Sequence, residues 1–224
     1  MPRKRRERAW LTAASAPLRL DKLPVPEHHD RMLTLYFAPG SSSMAPHIAL
    51  HEIGVPFEAR ALSLADKQTR TPEYLAINPA GKVPALLIDG RVLTEVAGIL
   101  FYLARAYPAA GLLPADDPEA EAQVVSWMSY IASTIHPARR EGLEHAREVY
   151  RVADRRLGRP DWITGRYSIA DIHLFRLFWR FRNSLEPAPG DFPNIEAHYE
   201  RMMERPAVRK TIEIEEKLGY SLPR

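Results

Sequence analysis

The chain has 224 residues, of which 46% are hydrophobic and 26% are charged, and it contains no cysteine. This composition is that of an ordinary globular protein, and the length allows one large domain or two small ones. The absence of cysteine excludes disulfides, thiolate metal sites, iron–sulfur clusters and a cysteine nucleophile, and no apolar run approaches the length of a membrane-spanning helix.

The net charge of +3 is unevenly distributed along the chain. Residues 1–31 carry eight Lys and Arg against four Asp and Glu, whereas residues 32–224 carry 23 against 24. A nearly neutral body argues against nucleic-acid binding by the folded part, which would present a basic face. We interpret residues 1–31 as a basic, disordered extension, or as the result of an upstream start codon with Met32 as the true start. A transit peptide, or attraction to nucleic acid or a membrane surface, is the alternative.

The first half of the body alternates between strand and helix patterns. The predicted elements are a strand at Met32–Phe37, a helix at Met44–Ile53, a strand at Phe57–Leu62, a short helix from Pro72 to Ile77, strands at Val83–Ile88 and Arg91–Leu93, and a helix from Glu95 to Ala106. This order, βαβ-α-ββα, predicts an α/β domain over residues 32–107 with a mixed four-stranded sheet and helices on both faces.

The second half of the body is predicted to be all-helical. Pro108–Pro118 forms a linker, and residues 119–224 form the helical domain. The predicted helices run over Glu119–Ile135, over Glu144–Leu157, from Ser168 to about Phe181, from Pro193 onwards, and from Pro206 to the end of the domain. Ser168 and Asp171 match a capping box in which Asp replaces Glu, and we expect them to be structural.

Four segments resemble the cytosolic glutathione transferases. They are LYFAPGSSSMAPHIAL, NPAGKVPAL, LTEVAGILFYLA, and YSIADIHLF with RPAV near the end, and the resemblance spans about residues 32–217. It implies a thioredoxin-like domain followed by a helical bundle, glutathione as co-substrate and no metal. It also implies a small-molecule electrophile as second substrate, a homodimer and a cytoplasmic location. The first segment is most similar to the bacterial Beta class, which usually has Cys where this chain has Ser42.

The chemistry of such an enzyme requires an activated thiol. A free thiol has a pKa of about 8.5, and lowering it by two units takes about 2.7 kcal/mol. Hydrogen-bond donors at a helix N-terminus meet that requirement. The run Ser41–Ser43 lies at such a terminus, so the resemblance assigns thiol activation to Ser42, with Ser41 and Ser43 as alternatives. Read without the resemblance, the three serines are a loop and an N-cap.

The resemblance also assigns residues that bind glutathione. Pro84 corresponds to a cis proline, and the backbone of Val83 before it pairs with the cysteine part of glutathione. Glu95 corresponds to the acid that takes the γ-glutamyl amine. Val96 follows it where the family often has Ser, so only its backbone N–H is left to bind the γ-glutamyl carboxylate.

Further site residues are expected around this core. Lys82 and Lys67 are candidates for the glycine carboxylate, and His136 lies where relatives have a His near the thiol. Tyr130 and Thr134 are expected to line the electrophile pocket. The 31 residues between His136 and Ser168 are fewer than in bacterial relatives, which predicts a wide, exposed electrophile site.

Several alternatives stay open from the sequence. His47 and His51 have the spacing of a metal pair, but no further ligand is apparent and no metal is predicted. Without a cysteine the chain cannot exchange disulfides through its own sulfur, although peroxide reduction by the sulfur of glutathione stays open. Glutathione-dependent isomerisation, as in the Zeta class, is a second enzymatic reading. A transferase-like protein that has lost catalysis and serves as an interaction module is the alternative outside the enzymes.

Overall fold

The computed structural model describes residues 31–185 and 187–220, excluding the side chain of Leu185. Residues 1–30, which make up nearly all of the basic extension, lie outside the described residues. The sheet contains four strands: β1 (Leu33–Phe37), β2 (Glu58–Ala61), β3 (Ala85–Ile88) and β4 (Arg91–Thr94). Their spatial order is β2-β1-β3-β4, with β1 parallel to β2, and with β3 antiparallel to both β1 and β4.

Helices cover the sheet and then form the rest of the described chain. The first three are α1 (Met44–Ile53), α2 (Pro72–Ile77) and α3 (Val96–Ala106). The others are α4 (Pro118–Tyr130), α5 (His136–Ala138), α6 (Leu143–Leu157), α7 (Ile169–Leu185), α8 (Pro193–Met203) and α9 (Pro206–Leu218). The predicted fold class, a mixed four-stranded sheet with helices followed by an all-helical part, is confirmed. The exact domain boundaries stay predictions.

The alternation in β1 places apolar side chains on both faces of the sheet. Leu33, Leu35 and Phe37 are at most 2% exposed and join the main core with α1 and α3. On the opposite face, Tyr36 packs against Tyr74 of α2, with 5.6 Å between the ring centroids. The strand is therefore covered on both faces, as a central strand of the sheet.

Several boundaries differ from the predicted ones by one to five residues, and three of these differences have a clear local reason. β3 begins at Ala85, because Pro84 cannot donate to the ladder and follows a cis peptide bond. α3 begins at Val96, because Glu95 has a φ of +67°, which is not helical. The helix predicted to run from Glu119 to Ile135 is α-helical only as far as Tyr130 and continues as a wider π-helix over Ile131–Ile135.

Buried carboxylates tie the helical part together. Asp171 is fully buried and accepts hydrogen bonds from the backbone N–H groups of Ser168 (2.8 Å) and Ile163 (2.9 Å). It also accepts one from the Ser168 hydroxyl (3.0 Å) and contacts His198 Nε2 at 3.1 Å. Asp171 therefore joins the start of α7, the preceding loop and α8, which is the structural role expected from the capping pattern.

The two halves of the chain are joined by polar contacts as well as by the core. Glu52 of α1 forms a bidentate ion pair with Arg205, at 2.6 and 2.8 Å, and accepts from the Tyr167 hydroxyl at 3.0 Å. A partly buried bidentate pair is geometrically specific, so it orients α9 relative to α1. Within the described residues, no helix is both long enough and apolar enough to span a bilayer.

Candidate active site

A cavity of about 300 Å³ lies between the turn before β3, the start of α3 and the helix that contains His136. Seven of the residues singled out from the sequence line it: Ser42, Lys82, Val83, Pro84, Glu95, Val96 and His136. They come from four separate stretches of the chain, so the fold rather than local sequence brings them together. Three further polar residues of its wall, Asn78, Arg140 and His173, were not singled out from the sequence.

The turn before β3 holds the backbone of Val83 in place. The Lys82 carbonyl accepts hydrogen bonds from the Tyr74 hydroxyl (2.6 Å) and from Asn78 Nδ2 (2.7 Å). Gly81 has a φ of +59°, and a Cβ there would lie 2.5 Å from the Arg70 guanidinium. The turn thus requires glycine, and it presents the Val83–Pro84 bond in the cis form that the family resemblance implies.

Glu95 stands at the junction of β4 and α3 with an unusual backbone conformation. Its φ of +67° is rare for a residue with a side chain and carries a strain of about 1–3 kcal/mol. The Glu95 side chain is exposed and lines the cavity, directly before the first N–H groups of α3. The carboxylate and the positive end of the helix dipole therefore lie side by side, as a ligand with both an amine and a carboxylate requires.

The three serines before α1 have different environments. Ser43 is fully buried, and its hydroxyl bonds the backbone of Ala38 (3.0 Å to N and 3.2 Å to O) and Ser41 Oγ (2.6 Å). Ser42 is half-buried, lines the cavity, and its hydroxyl donates to the Val83 carbonyl at 3.2 Å. The Ser42 backbone N–H has no acceptor among the described residues. Of the three, Ser42 is thus the one that presents donors to a ligand beside Val83.

Two buried side chains from the helical part hold the loop that carries these serines. Arg176 of α7 is 5% exposed and donates to the Ser41 carbonyl (2.9 Å) and the Gly40 carbonyl (3.2 Å). Glu215 of α9 is fully buried, accepts from the Gly40 N–H at 2.6 Å and contacts His47 Nδ1 at 2.9 Å. The shape of the loop therefore depends on residues 135 to 175 positions away.

A second cavity, of about 800 Å³, adjoins the first and shares five lining residues with it, including Ser42 and His136. It extends along the 131–143 segment toward Tyr150 and α7. Burial and the positive charges of Arg176, Arg140 and Lys82 lower the pKa of His136 to about 4, so the imidazole is neutral near pH 7 although part of the residue is exposed. This larger space opens directly beside Ser42 and has room for a second molecule.

Four of the residues predicted for the site line neither cavity: the buried Ser43, Lys67, Tyr130 and Thr134. Lys67 is exposed in a left-handed conformation before a short 3₁₀-helix. Tyr130 instead packs against Trp127 under the Arg156 guanidinium, and Thr134 contacts Ser133. The reason is helical phase, since the cavity wall of this segment carries Ala132, Ile135, His136, Arg139 and Arg140, three or four residues apart.

Sequence reasoning missed Arg176, although a signal for it was present. It is a single cation in the apolar stretch IADIHLFRLF of α7. A buried charge requires dedicated partners, so such a residue points to a polar structure nearby. Burial lowers the pKa of its guanidinium to about 10. Asn78 gave a weaker signal, because Asn before Pro is ordinary turn chemistry.

The described residues were also compared with what a metal site requires. Across residues 31–185 and 187–220, no group of three or more His, Asp or Glu side chains is placed to hold an ion. His47 is engaged by Glu215, and its ring centroid lies 5.0 Å from that of His51. Burial, followed by His47 and Lys210, lowers the pKa of His51 to about 4. This pair packs between β1 and Phe57.

Comparison with known proteins gives a consistent result. Family models described as the N-terminal and C-terminal domains of glutathione S-transferase match residues 31–105 and 115–206. The chain is 32% identical to glutathione S-transferase GstA of Escherichia coli O157:H7 over 202 residues, which cover 82% of this chain and 98% of that protein.

Two further matches bear on the site. A sphingomonad glutathione S-transferase solved in complex with glutathione superposes with a TM-score of 0.73 and 32% identity, covering 82% of this chain and 98% of that one. A maleylacetoacetate isomerase of Rhizobium meliloti is 38% identical over 124 residues, which cover 55% of this chain and 57% of that protein.

Proposed function

Because the chain belongs to the glutathione S-transferase family, we propose that it catalyses attack of the glutathione thiolate on a small electrophilic molecule. The proposal rests above all on one observation. Ser42, the backbone of Val83 before a cis proline, and Glu95 converge on a single cavity at the N-terminal ends of α1 and α3. A larger cavity adjoins the same serine and offers space for the electrophile.

Each part of glutathione finds a matching group in this arrangement. Glu95 takes the γ-glutamyl amine, and the N–H of Val96 takes the neighbouring carboxylate. The Val83 backbone pairs with the cysteine part, which places the sulfur next to Ser42. Lys82 or Arg140 then balances the glycine carboxylate. All six residues line the smaller cavity.

The protein's contribution to the reaction is stabilisation of the thiolate. The Ser42 hydroxyl, released from the Val83 carbonyl, and the Ser42 N–H both donate to the sulfur, and the dipole of α1 favours the anion. The sulfur then forms a bond to the electrophilic carbon, and the leaving group departs with its electron pair. The His136 imidazole is neutral at pH 7, so it adds no positive charge beside the sulfur.

Removal of the Glu95 carboxylate should weaken glutathione binding. We expect Glu95→Ala in the full chain to raise the dissociation constant ten- to a hundredfold, because a hydrogen bond to a charged group contributes about 1.5–3 kcal/mol. Titration calorimetry with glutathione measures this directly. The matched control is Glu148→Ala on α6, an exposed acid that lines neither cavity and should leave binding unchanged. The absence of saturable binding in the wild type at about 10 mM glutathione, well above micromolar to millimolar working affinities, would favour the non-catalytic interaction module.

Removal of the Ser42 hydroxyl should raise the pKa of the bound thiol. Thiolate absorbance of the glutathione complex against pH should give a thiol pKa near 6.5 in the wild type, about two units below the free value of about 8.5. We expect Ser42→Ala to raise it by about one unit, or ~1.4 kcal/mol, since the Ser42 N–H is retained.

Two serine variants make this measurement specific. Ser133→Ala is the control, because Ser133 is exposed and lines neither cavity. If Ser41→Ala raises the thiol pKa while Ser42→Ala leaves it unchanged, the role belongs to Ser41. Ser43→Ala would disturb the buried hydrogen bonds to Ala38 instead.

A second candidate function is glutathione-dependent isomerisation, favoured by the partial match to a maleylacetoacetate isomerase. The two reactions differ in stoichiometry, because a transferase consumes one glutathione per turnover and an isomerase returns it. Measuring free thiol during turnover separates them. A peroxidase reaction would instead convert two glutathione molecules to the disulfide.

A homodimer is part of the same proposal, and light scattering should then give about twice the 25.5 kDa of the chain.

A further inference from the structure

The larger cavity is lined by a tyrosine whose hydroxyl is unpartnered within the described residues. Tyr150 of α6 is only 2% exposed, yet its hydroxyl forms no hydrogen bond with any residue of 31–185 or 187–220. The Tyr130 hydroxyl also has no partner there but is fully enclosed, whereas the small exposed part of Tyr150 includes its hydroxyl. Buried polar groups are normally hydrogen-bonded, so this hydroxyl is available to a molecule in the cavity.

The ring of Tyr150 is fixed by three phenylalanines of the core. Its centroid lies 4.3 Å from that of Phe181, 5.8 Å from that of Phe178 and 5.9 Å from that of Phe192. Each of the three phenylalanines is at most 1% exposed. The core therefore holds the ring while the hydroxyl reaches the cavity, and a ligand meets a donor whose position is set before it binds.

The Tyr150 phenol is a hydrogen-bond donor near pH 7. Burial raises its pKa, and the positive charges of Arg176 and Arg139 offset this only in part. A tyrosine ordinarily titrates at about pH 10, so a phenol whose pKa is raised keeps its proton at neutral pH. What the side chain offers to a ligand is thus a neutral O–H group and not a phenolate.

This donor comes from a different part of the chain than the other hydroxyls of the cavity. Those are Ser41, Ser42 and Thr69, which belong to the part that builds the sheet. Arg176 links the two sides, because it donates to the Ser41 carbonyl at 2.9 Å and its charge also acts on the Tyr150 phenol. The apolar wall of the same space consists of Leu64, Ile135, Leu143 and Leu177.

A fixed neutral donor in this position discriminates between classes of electrophile. When a sulfur attacks an alkyl halide, the negative charge departs with the halide ion. When it attacks the β-carbon of a conjugated carbonyl compound, the electrons of the double bond move to the carbonyl oxygen, which becomes an enolate oxygen. A hydrogen bond to that oxygen strengthens as the charge develops, so it lowers the barrier of the second reaction and not of the first.

We propose that Tyr150 is a catalytic residue whose hydroxyl donates to the carbonyl oxygen of a conjugated carbonyl electrophile, and that it thereby favours this substrate class. The inference rests on the proposed function and names its electrophile. The thiol proton passes to solvent as the thiolate forms, the sulfur bonds to the β-carbon, and solvent then protonates the α-carbon of the enolate. Here the carbonyl oxygen takes the electron pair that a leaving group removes in a substitution, and Tyr150 keeps its own proton.

The test compares two electrophiles that share a phenyl ring, benzylideneacetone and benzyl chloride. The first has a carbonyl oxygen that becomes an enolate oxygen, whereas the second expels chloride and contains no oxygen. We expect Tyr150→Phe in the full chain to lower kcat/KM for benzylideneacetone about ten- to a hundredfold, because the lost hydrogen bond is to a charged oxygen. The kcat/KM for benzyl chloride should be unchanged.

A matched variant and a stability measurement make this result specific. Tyr199→Phe makes the same change in a tyrosine of α8 that is 8% exposed and lines neither cavity, so both values of kcat/KM should be retained. Thermal unfolding of Tyr150→Phe should match that of the wild type, because the ring stays in place and the hydroxyl has no bond to lose. Equal losses with both electrophiles, or full activity of Tyr150→Phe on benzylideneacetone, would overturn the inference.

Infrared difference spectroscopy tests the same contact without turnover. Benzylacetone, the saturated ketone that cannot react, is bound to the full chain together with glutathione. A hydrogen bond lowers the stretching frequency of a carbonyl group, so this frequency should be lower in the wild type than in Tyr150→Phe. Equal frequencies would overturn the inference while leaving the glutathione site in place. Failure of glutathione itself to bind would contradict the proposed function instead, so the two failures are distinguishable.

Discussion

Replacement of Asp171 by alanine is expected to remove about 3–5 kcal/mol of unfolding free energy. The carboxylate is fully buried and is the acceptor for Ser168 N–H, the Ser168 hydroxyl and Ile163 N–H, with His198 alongside. Alanine leaves these groups buried without their partner, and each unsatisfied donor costs about 1–3 kcal/mol. For a chain of this size the midpoint of thermal unfolding should fall by roughly 10 °C.

A control at the start of another helix separates the stability that comes from the buried Asp171 network from the stability of an ordinary N-cap. Asp117 caps α4 by accepting from two backbone N–H groups at 3.0 Å, but it is exposed. Asp117→Ala should therefore cost only about 1 kcal/mol. Urea unfolding of both variants measures the difference. Equal losses would show that the buried network around Asp171 adds nothing beyond an ordinary N-cap.

Replacement of Glu215 by alanine should impair both stability and glutathione binding. Its carboxylate is the acceptor for Gly40 N–H and the partner of His47, both buried, so we expect a loss of about 2–4 kcal/mol. The loop that it holds continues into Ser41 and Ser42. We therefore also expect glutathione affinity to fall about tenfold, because a misplaced donor no longer matches the thiolate.

Two further variants distinguish positioning from a merely structural role. Glu215→Gln keeps an oxygen for Gly40 N–H and should restore most of the affinity. Glu216→Ala, at an exposed neighbouring position, should change neither quantity. Thermal unfolding gives the stability and titration calorimetry gives the affinity at a temperature where each variant is folded. A Glu215→Ala protein that is destabilised but binds glutathione normally would contradict the positioning role.

The order of elements could be predicted from the sequence because local physics determines it. Strand alternation in β1, the glycine after α1 and the Asp89-Gly90 turn between β3 and β4 each act within a few residues. The predicted hairpin also brings Val83 and Glu95 close together, because Ala85 pairs with Thr94 at its open end. The meeting of Ser42 with these two residues could be predicted only through the family resemblance.

Other features depend on contacts that sequence reasoning does not reveal. Which face of the 130–140 segment meets the cavities depends on its packing in the fold, so the expected pocket lining by Tyr130 and Thr134 gave way to Ala132, Ile135 and His136. The pairing of Gly40 with Glu215 joins residues 175 positions apart, and in the sequence Glu215 cannot be told apart from its neighbours Glu213 and Glu216 on the same amphipathic helix.

The tie between Gly40 and Glu215 also bears on how the protein is made. Translation at about 5–20 residues per second separates the synthesis of these two residues by roughly 10–35 s. During that interval the sheet and α1 can form, but the loop before α1 lacks the acceptor that α9 supplies. A nascent chain should therefore acquire its thioredoxin-like fold well before it can capture glutathione, so ligand binding cannot assist the early stages of folding.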